Sequence, residues 1–260
     1  MGNGLLSGKV VVVVGASAGI GLAVARHCAV DGAEVAMIAR GKERLEAVAS
    51  HVGERATPVI CDITDPDSVR AAFDAIGARF GKVDAVLNIA GVAKVRRIED
   101  ASDQDIALVM GVNLLGPIYT TRAAVPLLRA AGGGDIVFVS SEIVEDYLPR
   151  MVLYGASKAG LETFSRMMAH ELKDDSIRVS RYTSGSVAGT SFGDNIEPEA
   201  MADAYPEWEA SGYLHRVAGP GMDADWMAEA MVFVITRPRG QMIDVIHVRS
   251  FGAGAAEVSQ

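Results

Sequence analysis

Apolar runs and amphipathic stretches alternate along the whole 260-residue chain. Residues 9–14 are an almost pure valine run, too short for a helix and typical of a strand buried on both faces. Helical periodicity follows over 20–30, then a strand pattern over 34–38 and a helix over 42–50. A strand at 56–60, a helix at 67–79 and a strand at 83–87 continue the series. Residues 103–131 read as one long helical stretch in which Pro117 and Pro126 predict kinks or a break. Gly132-Gly133-Gly134 closes it ahead of a strand at 135–139. A helix from Tyr154 to about residue 173, a strand at 177–182, a helix at 224–235 and a last strand at 242–248 complete the pattern. This rhythm predicts an α/β fold with about seven mostly parallel strands, doubly wound, with helices on both faces of one domain spanning 1–260.

Residues 184–221 break the rhythm. They are irregular, rich in glycine and acid, and carry Phe192, Tyr205, Trp208 and Tyr213. Long loops in compact domains are usually functional. This one follows the sixth strand at the sheet's carboxyl edge, so 186–220 reads as a substrate lid. Met201 to Tyr205, with Trp208, predict a short helix with one apolar face.

Half of the residues are hydrophobic, ample for a core and contrary to disorder. A net charge of −9 argues against nucleic acid as a partner, because neutralising phosphates needs a basic face. No apolar run reaches the length of a membrane span, and residues 1–8 lack the pattern of a secretory signal. Cys28 and Cys61 lie far apart, which predicts a reduced, cytoplasmic protein. The five histidines show no ligand spacing, so no metal site is expected.

The first strand runs into Gly15-Ala16-Ser17-Ala18-Gly19-Ile20-Gly21 and then a helix. Glycines here permit a tight turn, close approach of backbone to a pyrophosphate, and close helix–strand packing. The helix N-terminus adds oriented N–H donors and a dipole suited to an anion. Nucleotide binding is expected from this strand–turn–helix context. A second pattern is Tyr154-Gly155-Ala156-Ser157-Lys158, with Ser141 thirteen positions before the tyrosine. Tyr and Lys four apart share one helix face. A phenol is a poor acid or base at neutral pH unless a fixed positive charge stabilises its phenolate, and an ammonium one turn away supplies it. The pair alone occurs by chance in many helices; its context gives it weight.

Together, the glycine motif, Asn88-Ile89-Ala90-Gly91 after the fourth strand, Asn113, Ser141 and the Tyr154/Lys158 pair resemble the short-chain dehydrogenase/reductase family. The resemblance covers essentially the whole chain and implies a Rossmann-type sheet. It implies Tyr154 as general acid/base, with Lys158 lowering its pKa and binding the nicotinamide ribose. Ser141, rather than Ser140, would hold the substrate oxygen, and Asn113 would anchor a water-mediated proton relay to Lys158. Gly15, Ser17, Gly19, Ile20 and Gly21 would cradle the cofactor. Asn88, Ala90 and Gly91 would line its adenine-ribose side, with Asp62 and Ile63 after the third strand against the adenine. No acid stands at Ala39, and Arg40 can pair with a 2′-phosphate, so NADP(H) is expected ahead of NAD(H). The loop's lack of a second basic residue, with Ala18 before Gly19, implies a moderate preference.

Several positions depart from the family pattern. Val14 stands where Thr is usual, Ile89 where a second Asn is, and Ser184-Gly185 where Pro-Gly is. Thr190 falls one residue late, which affects the nicotinamide contacts expected of Val187 and Thr190. The tail ends in Ile246-His247-Val248-Arg249 rather than Val-Asp-Gly-Gly, like a branch of NADP-dependent members.

By resemblance, the substrate pocket is formed by residues 92–95, 142–151 and 186–215. Val92, Ile143, Val144, Tyr147, Leu148, Met151, Phe192, Met201 and Trp208 would make it mostly apolar, with Glu142 and Asp146 as outliers. A bulky or alicyclic alcohol or ketone is the expected substrate. The family's usual assembly is a homodimer or homotetramer. A non-catalytic nucleotide sensor on the same fold and an NAD(P)-linked dehydratase or epimerase are the rival readings.

Overall fold

The valine run becomes β1 (Val10–Val14), an interior strand of a seven-stranded sheet, in a computed structural model that describes residues 4–212 and 221–250. The other strands are β2 (Glu34–Ala39), β3 (Ala56–Ile60), β4 (Ala85–Asn88), β5 (Gly134–Ser141), β6 (Ile177–Ser184) and β7 (Val245–Val248). Their spatial order is β3-β2-β1-β4-β5-β6-β7, and every neighbouring pair is parallel.

Strand alternation sends Val11 and Val13 to one face and Val10, Val12 and Val14 to the other. On the first face they meet α1 (Gly19–Val30), α2 (Lys42–Val52) and α8 (Ala224–Ile235). On the second they meet α3 (Pro66–Phe80), α5 (Gly116–Ala130) and α6 (Val152–Glu171). A strand buried on both faces needs apolar side chains at consecutive positions, which is why this one carries no polar residue. The fold is the doubly wound Rossmann type that the pattern predicts.

The stretch at 103–131 breaks in a different place from that expected of its prolines. α4 (Asp103–Met110) passes through a single wide π turn, Gly111–Leu115, into α5. Two glycines make this turn possible. A Cβ on Gly116 would stand 2.8 Å from Ile63 Cδ1, and one on Gly111 would stand 3.3 Å from Thr64 Cγ2. Pro117 sits in the first turn of α5, where its missing N–H costs nothing. Pro126 lies inside α5 without ending it.

β5 and β6 run longer than expected and end on Ser141 and Ser184, which carries both strands to the edge where the site lies. β7 is shorter, because only residues 181–184 of β6 offer it partners. Within the expected lid, a 3₁₀ turn over Ser191–Asn195 leads to α7 (Pro198–Ala210). The short helix read from Met201 and Trp208 is part of α7. Tyr213 and the rest of 213–220 lie outside the described residues.

Candidate active site

One cavity of about 710 Å³ runs along the carboxyl ends of β1, β2, β4, β5 and β6 and passes under α7. At one end lies the turn from β1 into α1. Gly15 has φ +92°, and a Cβ there would meet Ala90 Cα at 2.8 Å. A Cβ on Gly21 would stand 2.1 Å from Gly15 O, so the helix can start this close to the strand only without a side chain. Ala18, the cap of α1, offers no side-chain hydrogen bond. The first N–H groups of the helix are therefore available to a ligand in the cavity, together with the favourable end of its dipole. A pyrophosphate fits this cradle. Gly15, Ser17, Gly19, Ile20 and Gly21 all line it, as do Ala90, Gly91, Val187 and Thr190. Thr190 reaches across from the lid: its Cγ2 is 3.2 Å from where a Gly19 Cβ would be.

Beyond the glycines the cavity continues past Ala39, Arg40, Gly41, Asp62 and Ile63. Asp62 also ties its own turn, its Oδ1 accepting from Thr64 N at 2.9 Å and Thr64 Oγ1 at 2.7 Å. A second guanidinium lies here, which the sequence reading missed. Arg44, in the first turn of α2, lines the cavity beside Arg40 and donates through Nε to Ser17 O at 3.2 Å. Its helical position reads as solvated surface; only the packing of α2 against the glycine turn brings it here.

The other end of the cavity holds Ser141, Tyr154 and Lys158. Tyr154 is 8% exposed, with its ring edge-on to Phe192 at 5.2 Å between centroids. Lys158 Nζ lies 5.8 Å from the centre of that ring and donates to Val139 O at 2.8 Å. Burial pushes its pKa down from 10.5 to about 8, which still leaves it charged at neutral pH. Of the two serines, Ser140 turns away and donates to Glu162 Oε1 at 2.7 Å. Ser141 Oγ accepts from Ile143 N at 3.3 Å and lines the cavity, in agreement with the thirteen-residue spacing.

Of the expected residues, Asn88, Val144 and Tyr147 do not line the cavity, and Asn113 lies just behind its wall. Asn88 is buried outside the cavity wall, its Oδ1 accepting from Thr120 Oγ1 at 2.6 Å. Its place at the end of β4, opposite Val14, directs it to the α5 side of the sheet. Asn113 is fully buried in the π turn. Its Nδ2 donates to Val92 O at 2.9 Å and Ser157 Oγ at 3.0 Å, and its Oδ1 accepts from Val92 N at 2.9 Å. The side chain thus ties the β4 loop to α6, and it does so beside the lysine: a Cβ on Gly91 would stand 3.7 Å from Asn113 Oδ1 and 3.6 Å from Lys158 Nζ. Tyr147 is 80% exposed and lines none of the cavity, because the chain turns outward between Val144 and Leu148.

Val92, Ile143, Met151, Phe192, Met201 and Trp208 do form the apolar wall expected of them. Glu142 is a buried polar group beside it, Asp194 and Asn195 add polar lining from the 3₁₀ turn, and Asp146, the other expected outlier, does not reach the cavity. The expected lid segment is clasped by charge at both ends of α7. Lys94 and Arg96 hold Glu197 at 2.8 and 2.9 Å, and Arg97 and Arg150 hold Glu207 at 2.6 and 2.7 Å. Trp208 Nε1 donates to Pro149 O at 2.8 Å. Hydrogen bonding to Lys94 draws the Glu197 carboxyl down to about 2, and Arg150 draws Glu207 down likewise. Glu207→Gln is expected to raise the substrate KM by about two- to fivefold, as for exposed pairs. High salt should shrink the difference between the two proteins; a KM that ignores both changes would remove the clasp from lid closure.

The comparisons with known proteins agree with this geometry. The family model for short chain dehydrogenases matches residues 9–200. A relative named D-threitol dehydrogenase from Mycolicibacterium smegmatis is 35% identical over 232 residues, covering 88% of this chain and 86% of the relative. A solved metagenomic short-chain oxidoreductase in complex with NADP superposes with a TM-score of 0.79 at 29% identity, covering 95% of this chain and 99% of the other. An alcohol dehydrogenase from the archaeon Thermococcus sibiricus, complexed with 5-hydroxy-NADP, gives 0.79 at 28% identity, covering 93% and 96%. With the glycine turn, the Ser141–Tyr154–Lys158 cluster and the parallel sheet in place, the chain belongs to the short-chain dehydrogenase/reductase family of oxidoreductases.

Proposed function

We propose that the protein interconverts a secondary alcohol and a ketone on a bulky, largely apolar or alicyclic substrate, with NADP(H) as cofactor and Tyr154 as general acid and base. One observation carries this reading: a buried Tyr154 with a buried, charged Lys158 one turn away, at the junction of a pyrophosphate cradle and an apolar chamber. The similarity to enzymes named D-threitol dehydrogenase and alcohol dehydrogenase supports it.

The nicotinamide supplies the hydride when bound; the chain manages position and proton. The glycine turn and the N-terminus of α1 hold the pyrophosphate. Ser141 donates a hydrogen bond to the substrate oxygen. Tyr154 gives its phenolic proton to that oxygen in reduction and takes it back in oxidation. Lys158, charged at neutral pH, favours the phenolate left behind. The apolar wall under α7 excludes water, which strengthens each of these interactions. Asn113, which ties the β4 loop to α6 beside Lys158, would anchor a water-mediated proton relay to that lysine. The free, buried Cys28 and Cys61 support a reducing, cytoplasmic setting. Exposed Leu115, Val152 and Met167 support self-association through α5 and α6.

Mixing the protein with NADPH or NADH and a panel of ketones and alicyclic diones, with absorbance as readout, tests this directly. NADPH consumption well ahead of NADH is the expected result. Arg40→Ala and Arg44→Ala should each cut the NADPH-over-NADH preference by about ten- to a hundredfold, the worth of a charged hydrogen bond. A wild-type preference for NADH, or a ratio unmoved in both variants, would overturn the cofactor assignment.

A further inference from the structure

Glu142 is the group that the catalytic reading does not use. It follows Ser141 directly in the chain, lines the same cavity, and is only 4% exposed. A carboxylate so placed in an apolar wall is costly unless paired. Its partner comes from the far edge of the sheet: His247 of β7 donates through Nε2 to Glu142 Oε1 at 2.8 Å. That leaves Oε2, which accepts no hydrogen bond from any described residue, yet is not sealed from the cavity. The backbone facing it is Gly185, where a Cβ would stand 3.2 Å from Oε2 and 2.9 Å from Arg249 Cβ, so only a glycine lets both come this close.

We propose that Glu142, oriented by His247, is a second polar anchor of the substrate site and accepts a hydrogen bond from a hydroxyl beside the reacting carbon. The substrate class is then a vicinal diol or the corresponding hydroxyketone, its hydrocarbon part lying against Phe192, Met201 and Trp208. An ionised carboxylate only accepts, so the ligand group must donate. In an apolar wall a neutral hydroxyl, with one hydrogen to place, is preferred to an ammonium, whose three N–H groups would stay under-bonded there. The short reach rests on the fold: Ser141 and Glu142 are consecutive at the end of β5 and both line the cavity, so one small ligand can meet both. His247 acts as a positioning residue, since it meets the carboxylate from the side away from Oε2.

The inference rests on the alcohol–ketone reading, and its test uses binding rather than turnover so that the two can fail separately. Calorimetry on the full-length Tyr154→Phe protein, with saturating NADP+, would compare butane-2,3-diol with butan-2-ol and cyclohexane-1,2-diol with cyclohexanol. The diol of at least one pair should bind about tenfold or more tightly than its mono-alcohol. Glu142→Ala should bring that ratio to within about twofold of unity, and Glu142→Gln, which keeps the shape, should reduce it. His247→Gln should lower the ratio less than Glu142→Ala does. Equal affinities within both pairs, no binding of any of the four, or a ratio unchanged by Glu142→Ala would each overturn the proposal. A Glu142-dependent preference for diols in a wild-type protein that oxidises no alcohol would sustain it while sinking the oxidoreductase mechanism.

Discussion

Tyr154→Phe should lower the rate of cofactor-linked turnover by about a thousandfold or more, the scale of a lost general acid. The substitution removes one oxygen and nothing else. The ring keeps its edge-on packing against Phe192 at 5.2 Å, so the chamber keeps its shape. Cofactor affinity should therefore stay within about threefold, and the loss should appear in kcat more than in KM. The residual rate should also lose the pH dependence that belongs to the phenol. Steady-state kinetics across pH, with cofactor binding by fluorescence, would measure all three. A variant that kept the protein's biological activity while losing turnover would revive the nucleotide-sensor reading. Substrate conversion without net cofactor oxidation in the wild type would favour a dehydratase or epimerase instead.

Lys158→Met is expected to separate stability from function. The amine is buried, and burial lowers its pKa from 10.5 to about 8. Across that window the folded chain binds fewer protons than the unfolded one, so stability rises with pH from about 8 to 10.5. Below pH 8 the folded protein bears the whole cost of an ammonium out of water, about 3 kcal/mol for a shift of this size. Methionine fills similar space without charge, though it leaves Val139 O without its donor at a cost of about 1 kcal/mol. At pH 7 the variant should melt at or above the wild-type temperature, by up to about 5 °C. The advantage should vanish near pH 10.5, where the wild-type lysine is neutral as well. Turnover should fall by about a thousandfold, because the phenolate loses its stabilising charge. Calorimetric melting at the two pH values, beside kinetics at neutral pH, checks this. A variant less stable at pH 7, or one that retains turnover, would remove Lys158 from the role given to it.

Much of the site was legible in the chain because its signals are local. Glycine spacing at 15–21 reports backbone sterics within one turn, and the Tyr154–Lys158 spacing reports one helix face. Spacing also favoured Ser141 over Ser140; both residues line the cavity, and strand alternation sends the Ser140 hydroxyl to Glu162. The misplaced residues are those whose direction depends on partners far away in sequence. Asn88 turns to Thr120, and Tyr147 outward to solvent. The break in the 103–131 stretch was read from prolines, but it is set by close contact of Gly111 and Gly116 with Thr64 and Ile63.

The sequence by itself determined the strand–helix order, the parallel sheet, the cradle of glycines and the Tyr154–Lys158 pair on one helix face. Each follows from hydrophobic period or from spacing within a few residues, which survives without knowledge of the rest of the chain. Only the tertiary structure decided what shares the cavity with them. Packing of α2 brought Arg44 to the glycine turn, the sheet's far edge brought His247 to Glu142, and charges on the β4 loop clasped α7 over the chamber. Such meetings span tens to hundreds of residues, and side-chain direction at their ends is fixed by the packing of whole elements rather than by any local pattern.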